Sequence, residues 1–148
     1  MANPIVPQGN LNKLRASIQF VSVPGLNITA SYLGREMIGG SFEGVATTPI
    51  ETATGVVYSP EPYQRSTWNV HLLKPQALSA AWKTQYELNT LIGDFVVRPD
   101  VGPPGIDPYQ ISNGVINTIN PLKFAGDDAG WVIILSGIYY INSALWNL

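Results

Sequence analysis

The sequence predicts a mainly β protein with one amphipathic α-helix covering a sheet face. Three observations predict it. Short apolar segments alternate with period two along most of the chain, as strands with one packed face do. Fourteen glycines and twelve prolines punctuate those segments as turn residues. One stretch alone, Pro75 to Ile92, has the i, i+3, i+4 spacing of an amphipathic helix. At 148 residues the chain is the size of one domain, expected over 1–148. That length buries about 70% of the unfolded surface without a covalent staple.

Taken in order, residues 1–12 read as an extended arm that is ordered only by docking. Met1 to Asn10 lack the basic and apolar regions of a secretory leader, so the chain is expected to be made and folded in the cytosol. Leu14, Ala16, Ile18 and Phe20 alternate with Arg15, Ser17, Gln19 and Val21, a half-buried strand. After the Pro24-Gly25 turn, Leu26, Ile28 and Ala30 suggest a second short strand. From Gly34 to Tyr63 the chain is rich in Thr, Ser, Val and Gly and poor in large core residues. Glu36 to Val45 and Glu51 to Tyr58 read as arms of a long protruding β-hairpin turning at Thr47-Thr48-Pro49. Pro60 and Pro62 close it, because prolines that near cannot sit inside a ladder. About thirty such residues in one domain point to function rather than core, and their low charge is not that of a disordered tract.

Ser66 to Leu73 resumes alternation, with Trp68, Val70 and Leu72 on one face. The helix, expected over 75–92, has Pro75 in its first turn and Gly93 at the left-handed position after its end. Its stripe is Leu78, Ala81, Trp82, Leu88 and Ile92. Phe95 to Val97 form a brief strand, Gln110 to Ile119 alternate weakly, and Trp131 to Ile141 are apolar on both faces, as in a central strand. The expected core is Leu14, Ile18, Phe20, Trp68, Val70, Leu72, Leu78, Trp82 and Trp131.

Chemistry is scarce. The absence of cysteine removes disulfides, thiolate zinc sites and a catalytic thiol. The single histidine, His71, has no nucleophile motif beside it and reads as a sheet-face or interface residue. Glycosidase chemistry needs two carboxylates across a cleft, but the ten acids are dispersed, and the adjacent pair Asp127-Asp128 sits in a glycine-bounded turn. No catalytic, cofactor-binding or metal-binding residue is assigned, and an enzyme is not expected. Charged residues make up 12% of the chain, with a net charge of −2, about half the usual charged share. Eight scattered cations make a poor surface for gripping nucleic acid. A β-rich chain with so little charge reads as an assembly subunit whose surface is covered by something else. No run reaches the ~18 apolar residues of a membrane helix.

Several short strings in order carry a resemblance. They are Asn3 to Gly9 followed by Leu11 to Arg15, Thr54 to Tyr63, His71 to Lys74, Arg98-Pro99-Asp100, and Ile141 to Leu148. With them the chain resembles the tail tube proteins of contractile-tailed bacteriophages over nearly its whole length. The resemblance implies a β-sandwich or small barrel flanked by one helix, in homohexameric rings whose strands join into one barrel around a lumen. It implies that the rings stack into the rigid inner tube of a virion tail assembled in the host cytoplasm. The implied partners are copies of itself, the sheath protein, a baseplate or tube initiator, a tail terminator and the tape measure protein. DNA would cross the lumen during genome ejection without specific binding, and sheath contraction would drive the tube through the envelope. The same strings fit the tube of an R-type bacteriocin-like particle.

On that footing the hairpin over 34–63 is expected to reach a neighbouring ring through Glu43, Glu51, Thr54, Tyr58, Glu61 and Tyr63. Trp146 and Leu148 are expected to form a C-terminal anchor. Alternation would turn Ser41, Glu43 and Thr54 toward the bore, subject to register. The competing reading is a monomeric β-sandwich that binds a ligand such as sugar through Tyr and Trp. A hydrolase would have to depend on His71.

Overall fold

The computed structural model describes residues 16–73, 77–98, 108–119 and 130–145. Eight strands and one α-helix follow in order: β1 (Ser17–Phe20), β2 (Leu33–Glu43), β3 (Thr47–Glu51), β4 (Val56–Pro60), β5 (Tyr63–Leu73), α1 (Ala77–Leu88), β6 (Leu91–Arg98), β7 (Tyr109–Ile119) and β8 (Gly130–Tyr140). Six of the strands form one antiparallel sheet in the order β1-β6-β7-β8-β5-β2, while β3 and β4 pair only with each other. The large sheet curls into a half-barrel, as the right-handed twist of paired strands favours.

The register places one apolar face inside. Phe20 lies opposite Phe95 and Ile18 opposite Val97. Val70 lies opposite Ile133, Trp68 opposite Leu135 and Leu72 opposite Trp131. All of these are buried, together with Ile111, Ile116 and Ile92. Every expected core residue within the described segments is buried; Leu14 lies outside them. β8 is central, as its two apolar faces predict, running between β7 and β5.

The helix is shorter than its periodicity suggests. Leu78 and Trp82 are its buried residues. The Trp82 ring meets Phe20 edge-on at 5.2 Å, and burying such a side chain contributes about 1.5–3 kcal/mol. Trp131 donates its indole N–H to Ser79 Oγ at 3.3 Å, pinning the helix to β8. The helix stops because Asn89 ends it. Its backbone N–H makes a last helical bond to Gln85, and its side-chain oxygen accepts from Leu91 N at 3.0 Å, an Asx turn that redirects the chain. Leu91 and Ile92 therefore open β6, Leu88 is exposed, and Ile92 is buried from the sheet instead of the helix.

Gly93 does have the left-handed φ foreseen for it, +76°, but inside β6, where the register with β7 slips on either side of it. There it faces Gly114, whose added Cβ would lie 2.5 Å from the Gly93 carbonyl oxygen. β7 slips again near Ser112 and Ile116, with Asn113 at φ +52°. These bulges explain why its alternation is weak. The expected short strand near Leu26 is instead two 3-10 turns, Pro24–Leu26 and Ala30–Tyr32. A single bridge remains, Ile18 to Ile28, with both backbone bonds at 2.9 Å. The N–H groups of Leu26 and Asn27 are instead spent inside the turn, donating to the Val23 and Pro24 carbonyls at 3.0 and 3.2 Å.

The hairpin is also arranged differently. Most of β2 belongs to the large sheet, paired with β5 from Leu33↔Leu72 to Glu43↔Arg65. The free-standing part is β3 and β4, and its turn lies at Thr52–Gly55, where Thr52 N and Oγ1 both donate to the Gly55 carbonyl, at 2.8 and 2.9 Å. Thr47-Thr48-Pro49 are strand residues of the arm, since Pro49 can occupy a two-stranded ribbon whose outer side needs no donor.

Gly40 lies beneath the Trp68 ring, and an added Cβ would approach it to 2.3 Å. Gly40→Val should therefore lower the unfolding free energy by about 1–3 kcal/mol through overpacking, read as a reduced urea midpoint with unchanged slope.

Candidate interaction surface

The surface most in need of a partner is the β3–β4 arm and the sheet edge at its root. Neither face of the arm is covered: every residue of β3 is exposed, and β4 is exposed up to Pro60. Ile50 pairs with Val57 and Pro49 with Tyr58. Ile50 and Val57 thus share one side, and Tyr58 and Val56 share the other. Tyr58 is 68% exposed and Val57 55%. Single exposed apolar residues are ordinary, but a contiguous set on a thin ribbon marks an interaction site. An isolated two-stranded ribbon is at best marginally stable in water.

At the root, β2 ends the large sheet and pairs with no strand on its other side among the described residues. Its Gly39, Ser41 and Glu43 align with Asn69, Thr67 and Arg65 on the face away from the core. Glu43 accepts from Thr67 Oγ1 at 2.8 Å and faces Arg65 at 3.8 Å. Both charged side chains are about half exposed, so the pair is well screened and adds little stability. On the opposite face, Phe42, Trp68, Tyr109 and Tyr139 form an aromatic group with ring centroids 5.1–6.2 Å apart.

The structure distributes the expected contact residues along this feature. Glu51 and Tyr58 lie on the arm and Thr54 in its terminal turn. Glu61 and Tyr63 lie at the root, both exposed, and Glu43 sits across from them on β2. Ser41 and Glu43 share a face of the sheet, but Thr54 is separated from both by the length of the arm. Trp146 and Leu148 lie outside the described residues. Sequence reasoning missed Ile50, Val56 and Val57 as exposed apolar residues of the arm and Asn142 as a residue bonded to its root. The run Val56-Val57-Tyr58 after Gly55 was the available signal, a β-prone apolar stretch with nothing opposite it to pack on.

Among the described residues, titratable side chains meet in pairs only, such as His71 with Glu36 and Lys83 with Glu87. His71 Nδ1 lies 3.0 Å from Glu36 Oε2 on the face away from the core, and no hydroxyl bonds to it among the described residues. No group of three or more His, Cys, Asp or Glu that could hold a metal is found among the described residues. No helix there is long and apolar enough to cross a membrane.

No protein-family model and no curated protein matches this sequence. Solved structures do match in fold. One is a chain of the tail of an empty gene transfer agent particle, described with C6 symmetry. It superposes with a TM-score of 0.57 at 12% identity, covering 87% of this chain and 96% of that one. A chain of the native gene transfer agent virion superposes with a TM-score of 0.52 at 13% identity, covering 85% and 95%. The chain thus shares the fold of chains from gene transfer agent particles, one of them from a particle's tail, over nearly the full length of those chains.

Because the arm's apolar residues are exposed, Val57→Ser and Tyr58→Ser should each leave stability within about 0.5 kcal/mol of the unsubstituted protein. Trp68→Ala should cost about 3–5 kcal/mol. Urea unfolding of the dissociated subunit checks both.

Proposed function

We propose that this chain is a structural subunit of a tail tube, forming homohexameric rings that stack into the inner tube of a contractile tail. The observation that carries the reading is the β3–β4 arm, an apolar ribbon projecting from a well-packed body with nothing of its own to cover. The fold shared with a chain of a C6-symmetric particle tail supports the symmetry. The unpaired outer edge of β2 supports edge-to-edge closure, since a ring leaves no edge exposed. In this reading the arm reaches the next ring through Glu51, Thr54 and Tyr58, while Glu43, Glu61 and Tyr63 line the contact at its root. Trp146 and Leu148 anchor the C-terminal end on a neighbour.

The tube is enclosed by a sheath protein, threaded by a tape measure, started at a baseplate and closed by a terminator. DNA passes through the lumen without being held, which the low cation content favours, because each phosphate neutralised would slow passage. The chain acts by assembly and not by catalysis.

Purified protein at high concentration should form hollow tubes with sixfold end views by negative-stain electron microscopy. Replacing 47–60 by an Asn-Gly turn joins Ala46 to Glu61, which are already hydrogen-bonded at 2.9 Å. That shortened chain should fold with an unaltered core and form no tubes. Tubes from the shortened chain, or a monomer that never associates in the intact one, would refute the reading.

A further inference from the structure

The arm does not continue the sheet smoothly. The ladder of β2 and β5 ends at Glu43↔Arg65 and pairing resumes at Thr47↔Pro60. Between them lie three residues on one side, Gly44 to Ala46, and four on the other, Glu61 to Gln64. Gly44 has φ +80°, a conformation that only glycine adopts freely. An open cleft of about 240 Å³ lies at this joint, lined by residues including Glu43, Glu61, Tyr63 and Arg65. A sparse ladder beside an open cleft is a hinge. One backbone bond spans the two strands there, Glu61 N to the Ala46 carbonyl, and Gln64 Nε2 donates to the Gly44 carbonyl at 3.3 Å.

On the other side of the joint β8 pairs with β5 as far as Tyr63↔Tyr140, and the residues just beyond that ladder add a further restraint. Beyond β8, Ile141 N donates to the Pro62 carbonyl at 3.1 Å, and Asn142 Nδ2 donates to the Glu61 carbonyl at 2.8 Å. Asn142 itself has φ +54°, the left-handed region where asparagine is the best tolerated side chain after glycine. It opens a turn closed by Leu145 N donating to the Asn142 carbonyl at 2.9 Å. The segment that leaves the central strand therefore turns back at Asn142 so that its amide grips the arm's root.

We infer that Asn142 is a positioning residue that latches the arm at a fixed angle to the sheet, so that the arm meets its partner already oriented. Preorganisation lowers the entropy lost on association, and the latch ties the arm's direction to the C-terminal turn. The arm-positioning part stands on the geometry alone; its consequence for assembly rests on the tube reading.

The test uses spin labels at Val21→Cys on the body and Thr54→Cys at the arm tip, in a chain with no other cysteine, and measures their distance distribution in dissociated subunits. Asn142→Gly keeps the backbone conformation and removes the amide. Asn142→Asp replaces the donor by an oxygen facing the Glu61 carbonyl. Both should broaden the distribution while the unfolding midpoint moves little. Both should raise the critical concentration for tube growth roughly two- to tenfold, the factor that one hydrogen bond is worth. If Asn142→Asp fails to fold, Asn142→Gly decides. An unchanged distribution overturns the latch whatever assembly does. A broadened distribution with an unchanged critical concentration overturns its role in assembly. A broadened distribution in a protein whose unsubstituted form makes no tubes upholds the latch and refutes the tube reading.

Discussion

A sheet whose core lies on one face, with one helix to cover it, must curl to enclose its apolar side chains, and six strands with one helix do not close the curl. Among the described residues the end strands β1 and β2 have no further strand beside them. On β1 the exposure is relieved by Ile28, which bridges Ile18 through two backbone bonds. On β2 nothing comparable is present among the described residues. Among the described residues no strand pairs with its outer N–H and C=O groups, and such groups are costly to bury unpaired. The body is stable because its inner face packs Trp68, Val70, Leu72, Ile133 and Leu135 against the helix side, and it is open because backbone pairing stops at β2.

The arm extends that incompleteness. It is continuous in sequence with β2 and β5, so its root inherits the sheet's position, but its ladder is separate. Bulk apolar contact holds the body rigid, whereas a few directed hydrogen bonds set the arm's angle. Such bonds are easily exchanged for water, so the arm belongs to the low-stability end of the molecule, as partner-binding elements commonly do.

Much of this was legible in the sequence. Alternating positions gave the inner face nearly residue for residue, since burial on one side of a pleated strand forces period two. The apolar faces of β8 foretold its central place. The protruding hairpin announced itself through a lack of core residues, although its turn lay at Thr52–Gly55 instead of Thr47–Pro49. Side-chain periodicity locates faces, while turns depend on backbone hydrogen bonds such as Thr52 to Gly55. The helix was overextended for a related reason: Ile92 continues the apolar stripe in register, and only the Asx turn at Asn89 reveals that its burial comes from a strand. Of the candidate contact residues, those chosen for exposure on the hairpin fell along the arm and its root, while the apolar pairs of the arm were overlooked.

The sequence by itself determined which residues are buried, that one helix accompanies many strands, and that the region after Gly34 could not build a core. These follow from composition and from periodicity, which are local properties. Only the tertiary structure decided that β2 ends the sheet, that bulges at Gly93 and Asn113 bend β6 and β7, and that Asn142 reaches Glu61 across 81 positions of sequence. Strand order and long-range hydrogen bonds depend on which segments meet in space, and no local pattern encodes that.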